Sequence, residues 1–91
     1  MRIDRFLFFI RLAKSRTLAQ ALVAAGHVRI DGRHATRTSD VKPGCVIALP
    51  LNGTVRILRV LHLPTRRGPA AEARAAYEEI ADNVSQQGGA D

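Results

Sequence analysis

Arg11, Lys14, Arg16 and Arg29 punctuate the stretch RLAKSRTLAQALVAAGHVRIDG, residues 11–32. Cations of this kind hold anionic oxygens, and a guanidinium can grip a phosphate through two donors at once. Ser15 lies between two of them. As a helix N-cap it would leave the unpaired amides and the positive dipole end of the next helix beside Lys14 and Arg16, a setting suited to phosphate. Arg16 and Gln20 are one helical turn apart and can share a polar face. His27 and Arg29, two positions apart on a strand, can extend that surface. Arg11 and Lys14 have a second reading, as solubilising charges at a helix end.

Other chemistries find little support. His27, His34 and His62 lack metal-ligand spacing, and the single cysteine, Cys45, cannot build a zinc site. No glycine-rich phosphate loop follows a strand, and neither Ser39-Asp40 nor Cys45 has an evident base partner. We therefore expect no enzyme, no metal and no cofactor. One cysteine also excludes a disulfide within the chain and fits a reducing compartment. The apolar run Phe6 to Ile10 is far shorter than the ~20 residues that span a bilayer, so a cytoplasmic protein is expected.

The 91 residues carry a formal net charge of +6 and are 46% apolar, the composition of one small basic domain with a modest core. The charge is unevenly placed. Residues 41–67 contain Lys42, Arg56, Arg59, Arg66 and Arg67 and no acid, whereas Glu72, Glu78, Glu79, Asp82 and Asp91 gather in the last quarter with only Arg74 among them. This layout reads as a basic binding face with a separate acidic helix. Its natural partner is a polyanion, nucleic acid ahead of an anionic membrane.

The positioning elements follow from periodicity. Ile3, Phe6, Leu7 and Ile10 mark one helix over about 3–12, with Asp4 in its first turn. Leu18, Ala21, Leu22 and Ala25 mark a second over about 16–25, closed by Gly26. The period then changes to two at Val28 and Ile30, and Asp31-Gly32 predicts a tight hairpin returning over about 33–37. Pro43-Gly44 and Asn52-Gly53 are turns that delimit strands at 45–50 and 54–61. Gly68-Pro69 opens a last helix whose apolar stripe is Ala73, Tyr77, Ile80 and Val84. The fold class is α+β: two N-terminal helices packed on a small antiparallel sheet, plus a C-terminal helix.

The sequence resembles a known family through several of these residues together. Arg2-Ile3-Asp4, Arg11, Ser15-Arg16, Ala19, Gly26 to Gly32 and Val41-Lys42-Pro43-Gly44 are similar to the pattern of the small RNA-binding domain named after ribosomal small-subunit protein four. The match covers about 1–61. Arg66 to Ala73, followed by Tyr77-Glu78-Glu79, resembles the tail of the stand-alone heat-shock protein fifteen family. Cys45 replaces an Asp common in that family, Phe8 stands near a common Trp, and the long basic tail of some members is missing.

The resemblance implies an RNA-binding domain at 1–64 with the alpha-L arrangement, a linker and packed helix at 65–84, and a polar tail at 85–91. It also implies RNA contacts at Arg2, Arg5, Arg11, Lys14, Ser15 and Arg16, with Gln20, Arg29 and Arg33 at the margin. Asp4 would orient an arginine. The implied partner is 23S rRNA, with tRNA, on a large ribosomal subunit that carries a stalled nascent chain. A monomer with no membrane contact is expected. A general structured-RNA or DNA-binding module stays open as the alternative, as does docking through the basic first helix or the acidic last one.

Overall fold

The computed structural model describes residues 1–80. Two helices, α1 (Ile3–Phe9) and α2 (Arg16–Ala24), precede the strands β1 (Arg29–Ile30), β2 (Arg33–His34), β3 (Val46–Leu51) and β4 (Thr54–Val60). A short helix, α3 (Ala70–Ala75), then leads into β5 (Tyr77–Glu79). All five strands form one antiparallel sheet in the order β2-β1-β3-β4-β5. The α+β class expected from the sequence is what the chain adopts, with a fifth strand that the periodicity does not announce.

The apolar stripe of α1 is the centre of the core. Ile3, Phe6 and Leu7 are fully buried, and Ile10 just beyond the helix is 2% exposed. They pack in one cluster with Val28, Val41, Ile47, Leu49, Leu58 and Val60. Such side chains each contribute roughly 1.5–3 kcal/mol on full burial. The helix stops three residues earlier than its apolar period suggests. Arg11 takes a left-handed φ of 67°, its amide donates to the Phe8 carbonyl and the Leu12 amide donates to the Leu7 carbonyl. This is the cap geometry usually built on glycine, and α2 ends the same way at Gly26, φ 80°.

The second helix turns a different face inward from the one its sequence period indicates. Ala19 and Val23 are buried, while Leu18 is half exposed and Ala21 and Ala25 are exposed. The small Ala19 and slim Val23 let α2 lie close to α1, leaving Leu18 facing outward and Leu22 half-buried against the core. Ser15 caps α2 as expected, its Oγ accepting from the Leu18 amide at 3.1 Å.

The last helix is the larger departure. It ends at Ala75, and Tyr77 to Glu79 pair with Val60 to Leu58 of β4 instead of continuing a helical stripe. Ala and Glu favour helix, but the open edge of β4 offers unpaired backbone groups together with Arg56 and Arg59. Glu79 binds Arg56 through two contacts of 2.9 and 2.6 Å, and Glu78 binds Arg59 at 3.1 Å. The acidic segment is therefore not separate from the basic one; it neutralises it. Val84 and the tail at 85–91 lie outside the described residues.

The inward face of α2 has a direct check. Ala19→Leu overfills the contact between α1 and α2 and lowers stability by about 1–3 kcal/mol in urea denaturation. Leu18→Gln, one residue away on the open face, changes it by less than about 0.5 kcal/mol.

Candidate nucleic-acid interface

Asp4 organises the interface. Its carboxyl is 2% exposed in the first turn of α1, and three side chains converge on it. Arg2 donates through Nε and Nη2 at 3.3 and 3.1 Å, Arg16 through Nη2 at 3.4 Å, and Gln20 through Nε2 at 3.0 Å. Burial opposes the charge on Asp4, but hydrogen bonds from Arg2, Gln20 and the Arg5 amide, together with the Arg2 charge, overcome it. The carboxyl is held well below the usual carboxylate range. Arg2 and Arg16 keep 49% and 42% of their side-chain surface in solvent. Their guanidinium groups are thus braced from behind and open in front. The Arg16 Nε is buried with no partner of its own among the described residues.

Around this hub stand cations with no ion pair among the described residues. Arg5 on the outer side of α1 and Lys14 just before the α2 cap are both exposed. Arg29 and Arg33 leave the β1–β2 hairpin on opposite sides. Arg29 is cross-strand from His34 and Arg33 from Ile30, and directly paired residues share a face. Arg29 lines a hollow with His27, as the strand reading expects, whereas Arg33 lines another with Ser39 and Asp40. The Asp40 position bridges to Arg2, and His27 lines both the hollow of Arg29 and a neighbouring one lined by Lys14.

Arg11 is placed otherwise. Its Nη1 donates to the Gly68 carbonyl at 3.0 Å, and Arg67 returns the contact by donating from Nε to the Phe8 carbonyl at 3.0 Å. The Arg67 guanidinium also sits 4.7 Å from the centre of the Phe8 ring, a cation–π contact that covers one face of that ring. These bonds strap the linker before α3 across the end of α1. Sequence reading missed the strap, because contacts that join residues 57 and 59 positions apart leave no local pattern. Arg66 is taken up by Glu72 at 3.0 Å.

The site residues thus fall into three sets. Arg2, Arg16 and Gln20 are gathered on Asp4, and Ser15 serves the helix cap with its proton still free to donate. Arg5, Lys14, Arg29 and Arg33 stand unpaired. Arg11 has one donor committed to the fold. Among the described residues no cluster of three His, Cys, Asp or Glu side chains has metal-site geometry, and no helix is long and apolar enough to cross a membrane.

Comparison with known proteins places this geometry in context. The sequence pattern of the S4 domain matches residues 1–47, which contain every residue of the three sets. Heat shock protein 15 of Escherichia coli strain K12 is 29% identical over 87 residues, covering 96% of this chain; the chain spans 65% of that relative's length. The RQC P-site tRNA stabilizing factor of Helicobacter pylori strain J99 is 37% identical over 65 residues, 71% of this chain and 77% of the relative. The trimeric structure of Vibrio cholerae Heat Shock Protein 15 superposes with a TM-score of 0.88 at 28% identity, covering 96% of this chain and 88% of that one.

The hub and the strap make different demands on pH and backbone. A carboxyl with a depressed folded pKa adds stability above its unfolded value near 4, and that stability drains away as pH falls toward the folded value. Asp4→Asn therefore costs about 2 kcal/mol at neutral pH, and thermal melts of the two proteins begin to converge as pH falls below about 4. Arg11→Ala keeps the left-handed strain and loses the Gly68 bond, so it melts at lower temperature than the parent. Arg11→Gly recovers about 1 kcal/mol of that loss by relieving the strain.

Proposed function

The chain belongs to the S4 domain family, and from that premise we propose that it is a non-enzymatic RNA-binding protein of the ribosome, acting in the cytoplasm. The observation that carries this reading is the distribution of paired and unpaired cations. Outside residues 1–47, Arg56, Arg59 and Arg66 are each neutralised by a glutamate, Arg67 is engaged with Phe8, and the exposed Arg74 alone has neither kind of partner among the described residues. Within 1–47, Arg5, Lys14, Arg29 and Arg33 have no acid partner among the described residues, and Arg2 and Arg16 share one buried carboxylate between them. A positive surface kept free in one region and cancelled in another fits a polyanion that lands on the free one.

The binding residues we propose are Arg2, Arg5, Lys14, Ser15 and Arg16, with Gln20, Arg29 and Arg33 at the edges. Arg11 contributes through the donors it does not give to Gly68. Arg and Lys grip phosphates, and Asp4 keeps Arg2 and Arg16 extended toward them without a conformational search on binding. RNA is recognised here by backbone and shape, since the deep major groove of A-form RNA hides its base edges.

The name of the H. pylori relative directs the reading further, to P-site tRNA, and with the family resemblance we take the site to be 23S rRNA on a large subunit that holds a stalled nascent chain. The proposed binding unit is a single copy. The V. cholerae relative is trimeric, and sedimentation of this protein at working concentration checks the point.

Arg5→Ala and Lys14→Ala leave the melting temperature unchanged and each lower the salt slope of binding to structured RNA by about 1. Equal affinity for duplex DNA at the same salt would favour the general nucleic-acid reading instead. In a sucrose gradient of cell lysate, the parent protein travels with free large subunits and the Arg5→Ala/Lys14→Ala double variant stays at the top. A parent protein that also stays at the top would refute the ribosomal assignment.

A further inference from the structure

Leu18 on the outer side of α2 stands apart from the core among the described residues, while Leu22 beside it is half-buried against the core. Leu18 and Leu22 form one wall of a groove completed by Leu12 and Leu51, with a volume of about 430 Å³. Leu18 is 50% exposed, the only large side chain of α2 left so open. Lys14 and His27 also line the groove, and no carboxylate does. His27 belongs as well to the hollow that contains Arg29, so cations approach the groove from both sides.

We propose that this groove receives an unstacked nucleobase from the bound RNA, a single nucleotide of a bulge or loop whose phosphates lie on Lys14 and Arg29. The proposal rests on the RNA-binding reading above and goes beyond it, because backbone contacts alone cannot tell a regular helix from an interrupted one. Extruded bases are held between apolar walls while polar groups at the rim meet their edges, and His27 is placed for the second role. Lys14 immediately precedes the Ser15 cap, so a nucleotide whose phosphate sits there has its base one helical turn from Leu18. Charge decides against a second copy of the chain as occupant. Another copy would bring its own net charge of +6 to a cationic rim, whereas a nucleotide brings the opposite sign.

The test compares two RNA hairpins of the same stem, one fully paired and one with a single unpaired 2-aminopurine. The parent protein should bind the bulged hairpin roughly tenfold more tightly, the worth of one base held against apolar side chains. The 2-aminopurine fluorescence should rise as the base leaves the stack. Leu18→Gln should bring the two affinities together and abolish the rise. Leu61→Gln, which removes an exposed leucine elsewhere, should keep the preference. Equal binding of both hairpins by the parent, with both weakened in Arg5→Ala, would overturn the groove and leave the RNA face standing. Binding of neither would overturn both. A bulge preference that survives Leu18→Gln, with a change in sedimentation, would assign the groove to contact between copies and overturn the proposal.

Discussion

The carboxylate of Asp4 is the constraint on which the cationic face depends. A lone buried charge is expensive, and this one is stable because three side chains and a backbone amide satisfy it. Arg2 precedes α1, whereas Arg16 and Gln20 belong to α2. One residue thereby fixes the spacing of two elements and aims two guanidinium groups at solvent. Long flexible side chains otherwise lose rotamer freedom each time they close on a ligand. Here much of that ordering is complete in the free protein.

The remaining charges are sorted by the sheet. β4 would be an edge strand carrying Arg56 and Arg59, and β5 covers that edge while its glutamates cancel both charges. Most of the cations without an acid partner among the described residues are left around α1, α2 and the β1–β2 hairpin, with Lys42, Arg67 and Arg74 lying elsewhere. A net charge of +6 understates this contrast, because it averages a neutralised half with a strongly basic one. The physical distinction between binding surface and scaffold is made by ion pairing rather than by composition.

Much of this could be read before any coordinates. The α1 stripe, the Ser15 cap, the Gly26 stop and the Asp31-Gly32 and Asn52-Gly53 turns all follow from local rules that do not need a partner. Asp4 was legible with two readings, an anion at the helix end or a residue that orients an arginine, and the structure shows the second. Three features were not. The strand at Tyr77 to Glu79 depends on an edge that only the folded sheet presents. The rotation of α2 onto Ala19 and Val23 depends on how closely two helices can approach, and its leucine period misleads because an apolar stripe can face a ligand as readily as a core. The strap from Arg11 to Gly68 joins distant parts of the chain, beyond the reach of any periodicity.

That strap has a consequence for the order in which the protein can assemble. The hub needs only residues 2–20, so Arg2, Asp4, Arg16 and Gln20 can meet early through short loop closures. The end of α1 cannot be fastened until Arg67 and Gly68 exist, 59 and 57 positions later. Long closures of this kind come late and slowly in folding. During synthesis the residues of the hub are therefore all present before the acidic strand that quiets β4 has been made. Until then the growing chain carries an excess of exposed positive charge, beside the most concentrated RNA in the cell.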